Sequence, residues 1–152
     1  MATSGIKWYE PNPLTTMLST GLDSLANGVS NQSSTYNNAG LLDTFADFQL
    51  QSAYAAAVVP GTKVAELYLL PMVDGSTLPT LNTNGVPQSS LLVAAFQSVT
   101  APTGTVETLD APGITIPPGN FRVLLRNTSG QAFQASNIAK TLKMQPYQTG
   151  VG

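Results

Sequence analysis

The sequence predicts an all-β protein, an antiparallel β-sandwich or jelly roll. Three observations carry this. From residue 44 onward, apolar residues recur mostly with a period of two. The periodic runs are short and separated by turn-forming pairs. The 13 glycines and 11 prolines are scattered, not clustered, as many tight connections require. About eight strands punctuated in this way make a two-layered β-fold. The chain has 152 residues, 42% of them hydrophobic, enough for one self-sufficient core without metals or disulfides. The expected division is an N-terminal arm over residues 1–13 and a single sandwich domain over residues 14–152.

The arm comes first. Pro11 and Pro13 flank Asn12 and forbid regular pairing there. Yet the arm holds the only tryptophan, Trp8, beside Tyr9 and near Ile6. Large rings gain free energy when covered, so the arm either folds back on its own domain or reaches a neighbouring subunit. Residues 14–29 are ambiguous. Leu14, Leu18, Leu22 and Leu25 recur at helical spacing. Thr15, Thr16, Thr20 and Gly21 weaken a helix, and Leu18, Thr20 and Leu22 also alternate, so a strand is expected. Residues 30–40 are rich in Ser and Asn, whose side chains bond nearby backbone, and read as a polar loop.

The remaining elements follow the two-residue period. Residues 48–54 form a half-buried strand, and residues 64–70 a strand covered on much of both faces. Asp74-Gly75 and Asn84-Gly85 are turn signals, and Pro71 and Pro79 mark an edge or a loop excursion. Strands are expected at 91–99, 106–109, 114–116 and 121–126, then near 132–136 and 141–147. Firm turns fall at 117–120 and 127–130.

Composition bounds the chemistry. The chain has no histidine, no cysteine and only 9% charged residues, against roughly 25% in an ordinary globular protein. A Ser-His-Asp or Cys-His site is therefore impossible within this chain, and nearly every transition-metal ligand set is removed. Gly119 and Gly130 frame no phosphate-cradling motif. Asp43 and Asp47 would share a face only on a helix, Glu107 and Asp110 point to different faces of a strand, and Asp74 sits in a turn. None forms the paired carboxyls that a hydrolase needs, and none has the spacing of a calcium loop. The expectation is a non-enzymatic protein with no catalytic residues, no metal and no cofactor.

The formal net charge is −2, but it is unevenly spread. Residues 1–110 carry Lys7 and Lys63 against all eight acids, and residues 111–152 carry Arg122, Arg126, Lys140 and Lys143 and no acid. Either the two halves neutralise each other inside the fold, or a basic face docks on an acidic neighbour. Six cations without interleaved aromatics make no nucleic-acid footprint. No apolar run approaches a membrane span, and the first residues lack the basic start and apolar core of a secretory leader. Neither nucleic acid nor membrane is expected as a partner.

One stretch has a recognisable shape: Ile116-Pro-Pro-Gly-Asn-Phe-Arg-Val-Leu-Leu-Arg-Asn-Thr-Ser-Gly-Gln-Ala-Phe, closing near Pro146-Tyr-Gln. Upstream lie Tyr36-Asn-Asn, then Val64-Ala-Glu-Leu-Tyr-Leu-Leu and Asp74-Gly-Ser-Thr. This order, over roughly residues 14–148, resembles small virion structural proteins of tailed bacteriophages, of the head decoration or cement type. The resemblance implies a jelly-roll-like sandwich on the capsid exterior. It would contact the major capsid protein and copies of itself, as a dimer or trimer, and would have no active site. On that reading the partner-contact residues are Trp8, Tyr9 and Ile6 in the arm, with Arg122 and Arg126 as secondary contacts. The alternative is a tail or fibre module binding host carbohydrate, for which Tyr36 with Asn37 and Asn38 is the candidate site. An enzyme using Asp43 or Asp47 is the third reading.

Overall fold

The computed structural model describes residues 6–8, 11–100, 104–135 and 139–151. Among them the strands are β1 (Ile6–Trp8), β2 (Thr15–Leu18), β3 (Ser30–Gln32), β4 (Tyr36–Asn37), β5 (Phe45–Ser52) and β6 (Lys63–Pro71). After a 3-10 turn at Ser89–Leu91 come β7 (Leu92–Gln97), β8 (Glu107–Thr115), β9 (Asn120–Asn127), β10 (Thr141–Tyr147) and β11 (Thr149–Val151). No α-helix occurs among the described residues.

The strands form two antiparallel sheets. The first has the order β2-β10-β5-β8. The second has the order β3-β9-β6-β7, with β4 also on β9. The chain is a single nested hairpin. β6 pairs with β7 at its tip, then β5 with β8, β3 and β4 with β9, β2 with β10, and β1 with β11 at its open end. Rolling this hairpin up brings β10 beside β5 and β9 beside β6. That is the jelly roll.

Alternation explains the core. Along β5 the residues Ala46, Phe48, Leu50 and Ser52 are buried, and the residues between them are more exposed. β10 buries Leu142, Met144 and Pro146 in the same way. These meet Leu67, Leu69, Phe121, Val123 and Leu125 of the second sheet. Each fully buried side chain of this size is worth about 1.5–3 kcal/mol. β6 is buried along nearly its whole length, because its outer face is covered as well. Residues 72–91 fold back over it, and Leu78, Leu81, Val86 and Leu91 pack on Tyr68, Leu70 and Leu124.

Four expectations need correction. Residues 30–40 are not a simple loop: β3 and β4 both pair with β9, which would otherwise expose a row of unpaired backbone groups. Between them, the Ser33 hydroxyl accepts the Val123 N–H at 3.0 Å, while the Ser33 N–H donates to the Val123 carbonyl at 2.8 Å. The stretches 106–109 and 114–116 are one strand, β8, running through a register shift at Pro112-Gly113. Proline is tolerated there because β8 is an edge strand. The stretch 132–136 is reduced to a single bridge, Phe133 to Tyr54, whose rings meet edge to face at 5.6 Å; residues 136–138 lie outside the described residues. Finally, the cations of the C-terminal part do not share one basic face. Lys143 stands on β10 of the first sheet and the arginines on β9 of the second.

Candidate interaction surface

The loops gather at two ends of the sandwich. At one end are the connections 38–44, 72–91 and 116–119, and the chain there runs into β1 and β11. At the other are 19–29, 53–62, 98–100, 104–106, 128–135 and 139–140. A buried asparagine organises each end: Asn38 at the first, and at the second Asn127, whose amide donates to the Leu25 and Gln131 carbonyls at 2.8 Å.

At the first end Asn38 is fully buried. Its amide donates to the carbonyls of Asp43 (2.8 Å) and Pro117 (2.6 Å), and its side-chain oxygen accepts the Asp43 N–H at 2.9 Å. The buried Asp43 carboxylate receives the Asn12 amide at 2.7 and 2.8 Å. The Asn12 N–H donates to the Pro146 carbonyl at 2.9 Å, and the Gln148 amide donates to the Leu41 carbonyl. This network fixes where both chain ends leave the sandwich. It also presents Leu41 and Leu42, which are exposed. Leu42 has φ +54°, a left-handed conformation that a bulky side chain disfavours.

Beyond this network β1 and β11 form a two-stranded ribbon outside both sheets. Ile6 stands opposite Val151, Lys7 opposite Gly150, and Trp8 opposite Thr149. The arm therefore pairs with the chain's own C-terminal segment. Tyr9, the second aromatic residue of the expected anchor, lies outside the described residues.

The two arginines are engaged within the fold. Arg126 is paired with Glu66 at 3.2 Å, and its Nε donates to the Gly28 carbonyl at 3.4 Å. Arg122 donates from Nε to the Thr35 hydroxyl at 3.2 Å. Glu66 also receives Lys63 (2.6 Å) and the Tyr68 hydroxyl (2.8 Å). Burial alone would raise the Glu66 carboxyl, but these donors outweigh it and hold it below its ordinary value. Lys140, its side chain wholly buried, pairs with Asp23 at 2.8 Å and donates to the Ala135 carbonyl. The acidic and basic halves of the chain thus meet inside one fold. Sequence reasoning did not name the pairs Arg126–Glu66 and Lys140–Asp23 because their members lie 60 residues or more apart in the chain.

The other candidate sites are dispersed. Tyr36 packs against Phe121 with ring centroids 5.3 Å apart, Asn38 is internal, and Asn37 accepts the Ala39 N–H, so the three make no common binding surface. Asp43 is internal, while Asp47 lies on the outer face of β5. Asp74 caps its own turn. The Thr77 hydroxyl and the N–H groups of Thr77 and Ser76 hold its carboxyl far below the usual range. Glu107 is buried and accepts the N–H groups of Val99 (2.7 Å) and Thr100 (2.9 Å) through one oxygen. No group of three or more Asp or Glu among the described residues is placed to hold a metal ion. No protein-family model matches the chain, and no curated protein matches it.

Proposed function

We propose that the protein is a non-enzymatic virion structural protein. In this reading it is a jelly-roll subunit that decorates or cements the exterior of a bacteriophage capsid, touching the major capsid protein and copies of itself. The observation that supports this most directly is the β1–β11 ribbon. Both chain ends leave the sandwich together and pair outside its two sheets. A lone two-stranded ribbon is marginal in water, and packing on a neighbour stabilises it. Jelly rolls recur among capsid proteins, and a weakly charged surface can be covered without burying unpaired charge. Leu41 and Leu42 at the base of the ribbon extend the same apolar contact.

Two variants test this. Removing residues 1–10 keeps Asn12 and hence the Asp43 network. The truncated chain should fold with an unchanged unfolding midpoint but, unlike the full chain, form no oligomer in light scattering and fail to associate with particles. Retention of both would overturn the reading. Leu42→Gly relieves the left-handed strain, worth about 1 kcal/mol, and removes an exposed contact. It should raise stability while weakening association. A rise in stability with unchanged association would remove Leu42 from the contact.

A further inference from the structure

The outer face of the first sheet is built from a different chemistry. Along β10 it carries Thr141, Lys143, Gln145 and Tyr147. In register on β5 lie Gln51, Gln49, Asp47 and Phe45. On β8, Thr108 and Asp110 stand opposite Gln51 and Gln49. At the centre is a groove of about 490 Å³ lined by Leu14, Asp47, Gln49, Asp110, Pro112 and Gln145, within the size range of ordinary ligand sites. The Phe45 and Tyr147 rings stack beside it, centroids 5.9 Å apart and 27° between planes.

We propose that this groove binds a neutral oligosaccharide. Four features of the face point to that ligand. First, every polar side chain lining the groove is a carboxamide or a carboxylate. These are flat groups that meet sugar hydroxyls, which both donate and accept. Second, the charge disfavours anionic ligands: Asp47 and Asp110 line the groove, and Lys143, which shares the face opposite Gln49, is not among the lining residues and leaves the balance negative. A phosphate, a nucleic acid or an acidic glycan would be repelled. Third, Leu14, Pro112 and the Phe45–Tyr147 pair offer apolar surface to the C–H faces of pyranose rings. Fourth, both carboxylates are already held. Asp47 accepts the Gly113 N–H at 2.8 Å and Asp110 accepts the Gln49 amide at 3.1 Å. They also stand on strands, not on loops, so little ordering is required on binding. The groove lies along a sheet face and is open, which suits a chain of sugars more than a single ring. This inference concerns a different surface from the ribbon and does not depend on the shell assignment.

The test uses the full chain and a panel of neutral hexasaccharides of glucose, mannose, galactose and N-acetylglucosamine, with hyaluronan oligomers as the acidic comparison. Binding is read by saturation-transfer NMR and titration of backbone amide shifts. At least one neutral hexasaccharide should bind saturably, with shifts confined to β5, β8 and β10. Gln145→Ala and Asp110→Ala, both at the surface, should each weaken it about tenfold without moving the unfolding midpoint. Absence of saturable binding to every neutral member up to about 10 mM overturns the proposal. So does binding that survives both substitutions, or a preference for the acidic oligomer.

Discussion

Asn38→Ala should be among the most damaging polar substitutions in this chain. Asn38 is fully buried and makes three hydrogen bonds, at 2.6, 2.8 and 2.9 Å. Each contributes about 1 kcal/mol net, and the alanine variant leaves the Asp43 N–H and two carbonyls without that partner. The expected loss is about 3 kcal/mol. For a chain of 152 residues that is a fall of roughly 6–12 °C in Tm. Urea unfolding should show the midpoint moving down with an unchanged slope. Asn38→Asp is the sharper comparison. It keeps an acceptor for the Asp43 N–H but turns a carboxylate oxygen towards two carbonyls, so it should cost at least as much as alanine. The neighbouring Asn37→Ala removes one exposed bond, to the Ala39 N–H, and should stay within about 0.5 kcal/mol. If Asn38→Ala costs less than about 1 kcal/mol, Asn38 does not organise this end of the sandwich.

Three further outcomes follow from buried charge. Asp23→Asn leaves the buried Lys140 ammonium without its carboxylate. Breaking a fully buried pair costs about 3–5 kcal/mol, but Asp23 is half exposed, so about 1–3 kcal/mol is expected. Chemical denaturation should show Lys140→Met recovering part of it in the double variant. Glu66 is held below its ordinary value of 4.5, so its contribution is complete above that pH and is lost as pH falls through the lower folded value. Acid unfolding of Glu66→Gln should accordingly be flatter below about pH 4.5 than that of the native chain. Burial pushes the Tyr54 hydroxyl up to about 12, with Glu107 adding to the rise and the Ser52 hydrogen bond opposing it. A raised value means its stabilisation is intact below the ordinary 10.0 and is lost as pH rises towards 12. Tyrosinate absorbance should show Tyr54 ionising last, and Tyr54→Phe should remove that alkaline component.

The fold was legible where burial is one-sided. Phe48, Leu50 and Ser52 alternate because one face of β5 meets the core and the other meets water, and the two-residue period records this directly. It failed where tertiary pairing, not local preference, makes the strand. Ser30–Gln32 and Tyr36–Asn37 are polar and turn-prone, yet they pair with β9. Pro112 split β8 on paper because a proline usually ends a strand. At an edge its missing N–H costs no ladder bond. The site was less legible than the fold. Arg122 and Arg126 do share a strand face, but Thr35, Gly28 and Glu66 receive them. Asn12 stood in the proline-flanked arm, Asn38 in the expected polar loop and Asp43 among the candidate carboxylates, and only the closing of the first end of the sandwich makes them one network. Local sequence holds no record of a contact between residues 31 positions apart.

The scarcity of charge then acquires a specific meaning. Among the described residues, Lys63, Arg126 and Lys140 are in ion pairs. Asp43, Asp47, Asp74, Asp110 and Glu107 each accept side-chain or backbone donors within the fold. Much of the charge is thus committed to tying loops and strand edges together. What remains for contact is mostly amide, hydroxyl and apolar surface, with Asp47 and Asp110 still presented in the groove. Contacts of that kind gain little from long-range attraction and lose little to screening, since salt acts on exposed net charge. Oligomerisation of the full chain and saccharide binding in the β5–β8–β10 groove should both change less than about threefold between 0.05 and 0.5 M salt, a range over which the Debye length falls from roughly 14 to 4 Å. A basic face docking on an acidic partner requires the opposite. An affinity that falls tenfold or more over that range would show that the cations do bind outward, and that their partners within the fold give way on association.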